Sequence, residues 1–429
     1  MGGAPKFFVA LAHTDTIACY TDVEGTTRER VSVTNLFPNR LRKHLLFSLS
    51  FNAEVHYTTK GHHLDSLATY SPSENQTGSM FADCGAFQFR NEAVPMLDNA
   101  PLDADVAWER YSEAHLDRGK IWDEVLLCSP DHIITQDMDD DEAESRHSFI
   151  EDQASRFLDL CSSRENVHAV GVIHGRNNAE RMKQYENFKS LGYQYVALGG
   201  MVPYSTKPNQ VLDIIAGIKN QDEPLIDPNS ILARCRQDGI RLHIFGLNSP
   251  EWVRWWYRLR IDSFDGSKLS TEGAANGWYY IPKDGKGIGR EPPINPTSVR
   301  ELYHRIPVKT MMAPRWSWSD SNSVLRTLNA GRFSDLSTEC DCPACVYLYS
   351  ARCTSQRCWF SKLRPDSHHV ADPRMMGSTE HNMGRVAHNA HIFDWLIQKI
   401  EELTELANQS KDSLSNAWLR HWKYVEVDS

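Results

Sequence analysis

Short runs of apolar residues alternate with longer polar segments along most of the chain. The apolar runs have the length of strands and end in Gly, Asp, His or Pro, and several polar segments have the spacing of amphipathic helices. Predicted strands cover residues 6–13, 79–87, 123–131, 168–175, 193–200, 241–247 and 260–266, and predicted helices cover 146–161, 178–192 and 229–239. Repeated strand, helix, strand units predict parallel strands joined by crossover helices. This number of units favours an α/β fold of the (β/α)8 TIM barrel type over an open sheet.

Length and composition agree with a barrel that carries an appendage. The chain has 429 residues, of which 41% are hydrophobic, enough to bury a large core. No apolar run reaches the ~18 residues that span a bilayer, and the N-terminus lacks a signal-peptide pattern. We therefore expect a soluble, cytoplasmic protein with no membrane partner. Its ten cysteines are expected to be reduced thiols rather than a disulfide framework.

Charge argues against an overall basic nucleic-acid-binding domain, because the formal net charge is −10. Residues 28–44 form a local basic stretch that can supply a positive field, although a solvated helix face is the simpler interpretation. Residues 251–260 combine arginines with Trp252, Trp255 and Trp256. These tryptophans have helical spacing, which favours a place in the core over a contact with a ligand.

Polar residues stand at the ends of several predicted strands. In a barrel of this type the carboxyl ends of the strands meet at one face, where the chemistry takes place. One Asp or Gly after a strand is ordinary turn chemistry, but three carboxylates at the same end are harder to explain in that way. The set comprises Asp83, Asp131, His174, Gly199, Gly200 and Asp265.

A cluster of cysteines lies near residue 340. Cys340, Cys342 and Cys345 have the spacing C-x-C-x-x-C, which is open to a disulfide, a redox pair or a metal site. Three thiolates so close together can occupy three corners of a tetrahedron around Zn²⁺, which then needs a fourth N or S ligand from elsewhere in the chain.

Five motifs in a fixed order resemble the tRNA-guanine transglycosylases and their DNA-modifying relatives. The resemblance runs from about residue 79 to about residue 400. "DCGAFQ" resembles the family's D-S-G-G-F-Q, "VIHG" its V-Q-G, "YVALGGM" its Y-A-I-G-G-L, "IDSFDG" its D-M-F-D-C, and "CDCPAC" its zinc motif. Each motif is weak alone, and their common order is what makes the resemblance specific.

The resemblance implies a glycosyltransferase, more narrowly a pentosyltransferase that exchanges bases. A carboxylate attacks C1′ of a nucleotide to form a covalent intermediate, and a second carboxyl group moves the proton of the leaving base. By resemblance Asp265 is the nucleophile and Asp83 the general acid/base. Asp262, three residues earlier, is expected to face away from the pocket or beside it.

Base recognition is also implied by the resemblance. Asp131 aligns with the carboxylate that reads the guanine edge, and Gly199, Gly200 and Met201 align with the segment that brings main-chain groups to the other edge. His174 stands where the family has Gln, and it retains the ability to donate to a carbonyl oxygen.

The resemblance supplies the fourth zinc ligand as well. His388, followed by Asn389, aligns with the family's histidine at the start of a helix, and His381 is the competing candidate. A closed site of this kind is structural. The predicted organisation is a catalytic barrel over residues 1–335 and a zinc-binding subdomain with C-terminal helices over residues 336–429. Cys353 and Cys358 lie between the ligands and leave a second metal open.

One departure from the family bears on the substrate. tRNA-acting members carry two arginines after the nucleophile, and in residues 269–277 Glu272 and Ala275 occupy those positions. An acid in place of a cation removes a phosphate contact and adds repulsion toward a polyanion. The sequence therefore favours the DNA-acting branch, which exchanges guanine in DNA for a 7-deazaguanine, most often 7-cyano-7-deazaguanine.

Two alternatives stay open from the sequence. One is a tRNA-guanine transglycosylase with atypical tRNA recognition, and the other is a non-catalytic partner subunit of a transglycosylase, against which the retained Asp83 and Asp265 speak. The chain has no P-loop spacing, so any ATP dependence would come from a helper ATPase. A homodimer is left open too.

Overall fold

Fourteen strands occur in the part of the chain that the structure describes. The structure is a computed structural model that describes residues 4–11, 16–20, 28–33, 37–49, 78–97, 100–117, 122–220, 225–270, 272–273, 278–282, 298–307 and 378–409. The strands are β1 (Lys6–Leu11), β2 (Thr16–Tyr20), β3 (Arg28–Ser32), β4 (His44–Ser48), β5 (Ser79–Asp83), β6 (Met96–Leu97), β7 (Ala100–Pro101), β8 (Glu124–Cys128), β9 (Val167–Ile173), β10 (Tyr195–Leu198), β11 (Arg241–Ile244), β12 (Ser263–Gly266), β13 (Trp278–Pro282) and β14 (Tyr303–Pro307).

Eight of these strands form a closed parallel barrel. Its order is β1, β4, β5, β8, β9, β10, β11 and β12, which is the order along the chain, and β12 pairs with β1 to close the ring. The remaining strands form three antiparallel pairs, β2 with β3, β6 with β7 and β13 with β14. The predicted (β/α)8 TIM barrel is therefore confirmed.

Helices follow most of the barrel strands. They are α1 (Asn39–Arg42), α2 (Ala104–Tyr111), α3 (Asp140–Ser162), α4 (Asn178–Leu191), α5 (Pro208–Ala216), α6 (Ile231–Asp238), α7 (Pro250–Leu259), α8 (Lys268–Ser270) and α9 (Ser378–Gln409). The start of several is fixed by a side-chain oxygen that accepts a hydrogen bond from a free backbone N–H of the first turn. The capping residues are Asp103 for α2, Asp139 for α3, Asn177 for α4 and Ser230 for α6.

Strand β4 is the barrel strand that the hydrophobic pattern does not reveal. Its five residues begin at His44, the last residue of the basic stretch, and follow helix α1 after Lys43. The three central residues, Leu45, Leu46 and Phe47, are buried. Residues 28–44, which the sequence left open as a source of positive field or a solvated helix face, thus lead into the core of the barrel.

Apolar side chains fill the inside of the barrel and the space between the barrel and the helices. The inner cluster contains Phe8, Leu46, Phe81, Leu126, Cys128, Val170, Val172, Tyr195 and Ala197. These side chains come from β1, β4, β5, β8, β9 and β10, and a barrel interior filled in this way is a packed core rather than a channel.

Helix α9 packs against the outside of the barrel near its closure. Phe393 lies against Phe7, with ring centroids 5.0 Å apart, and Phe7 stacks on Phe264 of β12. Glu401 forms an ion pair with Arg40 of α1 at 2.8 Å. The predicted boundary between residues 335 and 336 lies outside the described residues and stays a prediction.

Among the described residues, none of the helices combines the length and the apolar character that crossing a bilayer requires. Four described cysteines, Cys84, Cys128, Cys161 and Cys235, are buried, and none of them forms a disulfide within the described part of the chain.

Candidate active site

Three carboxylates meet at the face formed by the carboxyl ends of the barrel strands. Asp83 is the last residue of β5, Asp131 lies just after β8, and Asp265 lies in β12. The negative charges of Asp265 and Asp131 both raise the pKa of Asp83, so the three groups act on one another electrostatically. The structure thus brings together the strand-end residues that the sequence singled out.

Asp83 is held in an environment that favours its protonated form. Burial, together with the charges of Asp265 and Asp131, raises the pKa of Asp83 to about 7, while a hydrogen bond with Ser48 acts in the opposite direction. Its Oδ1 accepts a hydrogen bond from the N–H of Gly85 at 2.8 Å. A carboxyl group with a pKa near neutrality can donate and accept a proton within one reaction cycle.

Asp265 is fixed by two donors on the preceding strand and loop. Its Oδ1 accepts a hydrogen bond from the N–H of Gly246 at 2.8 Å and lies 3.3 Å from Nε2 of His243. The side chain is buried. Oδ2 is the oxygen that these two contacts do not engage.

Asp262 directly precedes β12, at the amino end of this strand. Its Oδ2 accepts a hydrogen bond from the N–H of Leu242, at 2.9 Å, near the start of β11. Its carbonyl oxygen accepts from the N–H of Lys6, the first residue of β1. The expectation that Asp262 points away from the pocket therefore agrees with the geometry.

Asp131 is the centre of a buried hydrogen-bonded group. Cys84 Sγ lies 2.6 Å from Oδ1, and His174 Nε2 lies 2.6 Å from Oδ2. Burial and the charge of Asp131 raise the pKa of Cys84 well above its usual value, so this side chain is a neutral thiol that donates to the carboxylate. Among the described residues, Nδ1 of His174 is buried without a hydrogen-bond partner.

The predicted base-binding glycines lie against His174. A Cβ at Gly199 would stand 2.2 Å from Cε1 of His174, so any larger residue there would collide with the ring. Gly200 has a φ of +66°, and Met201 is buried directly after it. Histidine at position 174 therefore requires glycine at position 199.

Cys84 and His243 contact the carboxylates, and sequence reasoning did not identify either of them. Cys84 lies within the "DCGAFQ" motif, directly after Asp83, which was a usable signal. His243 lies inside β11, and nothing in the sequence distinguishes it from a core histidine.

The predicted zinc site falls only partly within the described residues. Cys340, Cys342 and Cys345 lie outside them, as do Cys353 and Cys358. Among the described residues, no group of three or more His, Cys, Asp or Glu side chains is arranged to hold a metal ion.

His388 lies inside helix α9 rather than at its start, because the helix begins at Ser378. The histidine is buried, and its Nε2 lies 2.9 Å from the carbonyl oxygen of Tyr280 in β13. Asn389 Oδ1 accepts a hydrogen bond from the N–H of the same tyrosine at 2.9 Å. A metal-binding histidine usually donates its other ring N–H to a carbonyl or carboxylate, so this arrangement fits a ligand that binds through Nδ1.

The surroundings of Glu272 differ from what the sequence led us to expect. This side chain is buried, lies 3.3 Å from Nζ of Lys268, and hydrogen-bonds with the hydroxyl of Tyr280. Its charge is paired inside the protein, so the expected repulsion of a polyanion by Glu272 is wrong. Ala275 lies outside the described residues.

The tryptophans of helix α7 are part of the core, as their spacing predicted. Trp252, Trp255 and Trp256 are at most 5% exposed. Trp252 and Trp256 stack with ring centroids 5.3 Å apart. Arg40 of the basic stretch donates to Tyr257 of the same helix and to Glu401, so this cation is engaged within the protein.

Comparison with known proteins agrees with the resemblance found in the sequence. No protein-family model matches the chain. A DNA-guanine transglycosylase of Salmonella montevideo is 26% identical over 198 residues, a match that covers 46% of this chain and 41% of the relative. The chain thus aligns with less than half of that protein. This similarity supports the expected relationship to the DNA-acting branch of the transglycosylase superfamily.

Proposed function

We propose that this protein exchanges guanine in DNA for a 7-deazaguanine base through a covalent intermediate between Asp265 and C1′. The observation that carries the proposal is the pair of carboxylates at the mouth of the barrel. Asp265 is held by hydrogen bonds to Oδ1, and the raised pKa of Asp83 suits a group that handles protons. The similarity to a DNA-guanine transglycosylase supports the choice of DNA and guanine.

In the first step an oxygen of Asp265 forms a bond to C1′ while the C1′–N9 bond of guanine breaks. The electron pair of that bond leaves with guanine, and protonated Asp83 supplies the proton that neutralises the leaving base. Guanine then departs as a neutral molecule. Asp83 is left as a carboxylate close to Asp265, whose charge has been converted into an ester.

In the second step N9 of the incoming 7-deazaguanine attacks C1′. The C1′–O bond to Asp265 breaks, its electron pair returns to the carboxylate, and the proton from N9 passes to Asp83. Both carboxyl groups end in their starting forms. The exchange therefore needs no nucleotide hydrolysis in this chain.

Base recognition in this proposal centres on Asp131. An ionised carboxylate has about four lone-pair positions, and Cys84 and His174 use two of them. The remaining positions can accept hydrogen bonds from the ring N–H and the amino group of a guanine-like base. Main-chain groups of Gly200 and Met201 would meet the opposite edge of the base.

His174 orients Asp131 in this arrangement. A carboxylate can only accept, so the short contact places a proton on Nε2 of His174. Nδ1 of His174 is left without a partner among the described residues. In this proposal the main chain near Gly200 meets the carbonyl edge of guanine.

The substrate assignment is tested by transfer of labelled 7-cyano-7-deazaguanine into duplex DNA, single-stranded DNA and tRNA. A base in duplex DNA must be flipped out, which costs a few kcal/mol, so we expect faster transfer into single-stranded than into duplex DNA. Label should enter DNA and not tRNA. Transfer into tRNA alone would overturn the assignment to DNA, and no transfer into any nucleic acid would favour the non-catalytic alternative.

For the metal, we propose that Cys340, Cys342, Cys345 and His388 hold one structural Zn²⁺. The ion would join the cysteine segment to helix α9, whose His388 also contacts Tyr280 of β13. Elemental analysis is expected to find about one zinc per chain, lost in Cys342→Ala. A folded wild-type protein without metal would contradict this assignment.

A further inference from the structure

His243 lies directly beside Asp265 inside the barrel. The histidine is in β11 and is paired in register with Ser263 of β12, two residues before Asp265. Its Nδ1 lies 2.9 Å from Oγ of Ser263, and its Nε2 lies 3.3 Å from Oδ1 of Asp265. The ring is 3% exposed. Both ring nitrogens therefore face a specific polar partner.

The other walls around His243 are apolar. Phe81 of β5 and Phe245 lie with ring centroids 4.2 Å and 4.7 Å away, and Phe8 of β1 lies at 6.0 Å. Asp265 is the ionisable group whose charge acts on the ring, and it raises the pKa of His243. Burial outweighs that effect and lowers the pKa below its usual value, so the ring is neutral at neutral pH.

The partners determine which nitrogen carries the single proton of a neutral ring. The carboxylate of Asp265 can only accept a hydrogen bond, whereas the hydroxyl of Ser263 can donate or accept. The proton must therefore sit on Nε2, where it points toward Asp265, while the hydroxyl of Ser263 donates to Nδ1. The hydrogen bonds thus run in one direction, with Ser263 donating to His243 and His243 donating to Asp265.

We propose that His243 is a positioning residue that, together with the N–H of Gly246, holds Oδ1 of Asp265 and thereby presents Oδ2 to C1′. This inference rests on the proposed function. Oδ2 supplies the electron pair for the bond to C1′, and Oδ1 becomes the carbonyl oxygen of the ester. When the second base attacks, the pair returns to the carboxylate, and the two N–H groups stabilise the charge that develops there.

Kinetic measurements separate this role from simple packing. Formation of the covalent DNA–protein adduct without acceptor base, and its release on addition of 7-cyano-7-deazaguanine, are followed by rapid quench and denaturing gels. His243→Phe removes the donor but keeps an aromatic ring, and His243→Gln can place an amide N–H near the position of Nε2. Thermal unfolding confirms that each variant folds.

We expect His243→Phe to slow release of the adduct by about 100-fold, the usual effect of losing one donor to a developing charge, with little change in the base concentration for half-maximal rate. Formation of the adduct should slow less, because Asp265 loses its charge in that step and His243 acts there only by orienting Oδ2. His243→Gln should retain activity to within about 10-fold of wild type, because it can still donate. A folded His243→Phe at the wild-type rate, or His243→Gln impaired as much as His243→Phe, would overturn the proposal.

The protonation state is measured independently of any activity. In protein labelled with ¹⁵N-histidine, the His243 signals are identified by their loss in His243→Gln, and long-range ¹H–¹⁵N spectra report the tautomer. We expect a neutral ring protonated at Nε2 at pH 7 and pH 8, and the same tautomer in Ser263→Ala, because the carboxylate of Asp265 can only accept a hydrogen bond. A ring protonated at Nδ1 or on both nitrogens would overturn the inference, whereas absence of transfer by the wild-type protein would overturn only the proposed function.

Discussion

The two ends of the barrel shift the pKa of a carboxyl group in opposite directions. At the amino end of the strands, Glu124 of β8 accepts hydrogen bonds from Lys6 at 2.8 Å, Ser79 at 2.9 Å and Arg241 at 2.9 Å, and also from the hydroxyl of Tyr195. Burial alone would raise the pKa of Glu124, but the hydrogen bonds and charges of Lys6 and Arg241 outweigh it and lower the pKa to about 2.

At the carboxyl end, the acids face each other with little compensating positive charge. Among the described residues, no lysine or arginine forms an ion pair with Asp83, Asp131 or Asp265. The pKa of Asp83 rises to about 7 as a result of burial and of its acidic neighbours. The same barrel therefore uses one end for stability and leaves the other end electrostatically unsatisfied, as a reactive site requires.

The sharpest test of this contrast compares Asp265 of β12 with Asp262, which directly precedes the strand. Asp265→Ala at the carboxyl end should reduce base exchange by about 10⁴-fold or more, because the nucleophile is lost. Asp262→Asn at the amino end is the matched control and should leave exchange within about 2-fold of wild type, since Asn can still accept from Leu242. Transfer of labelled base into DNA measures both. A large loss of activity in Asp262→Asn alone would reverse the assignment of the two ends.

Asp83 should show that the reactive end reduces stability. Its folded pKa of about 7 lies above the usual value of 3.8, so the native state loses stability relative to the unfolded state as pH rises between these values. Asp83→Asn should therefore raise the melting temperature more at pH 8 than at pH 5. It should also lower exchange about 100-fold or more through loss of proton transfer. An equal effect on melting at both pH values would contradict the raised pKa.

Glu124 should behave in the opposite way. Its folded pKa of about 2 lies below the usual value of 4.5, so its contribution to stability is present above pH 4.5 and is lost as pH falls toward 2. We expect Glu124→Gln to lower the free energy of unfolding by about 1–2 kcal/mol at pH 7, given the partial exposure of its cationic partners, with exchange unchanged. Denaturant titrations at pH 7 and pH 3 should show a smaller difference at the lower pH. A difference that stays constant with pH would remove the contrast between the two ends.

The sequence predicted those features that depend on position along a strand. Asp83, Asp131 and Asp265 were expected to meet because the carboxyl ends of parallel strands share one face, and they do. Strand β4 escaped detection because basic residues directly precede its short apolar run. Periodicity could not identify it as the eighth strand of the ring.

Features that depend on contacts between distant residues could not be predicted. The partners of Asp131 directly follow β5 and β9, and the low polarity around His243 comes from phenylalanines on β1 and β5. Glu272 was interpreted from its place in a motif, whereas its burial depends on Tyr280 and Lys268. The effect of a charged side chain on a ligand therefore depends on the groups that pair with it in the folded protein.

The pairing of β1 with β12 has a consequence for when the protein can become active. Phe8 lies opposite Asp265 in this pair, so the backbone beside the nucleophile is supplied by the first strand of the barrel. These strands lie far apart along the chain, and contacts of such high sequence separation form slowly because a long loop must be closed. A chain emerging from the ribosome therefore cannot hold Asp265 in place until the last barrel strand has been synthesised and has returned to the first.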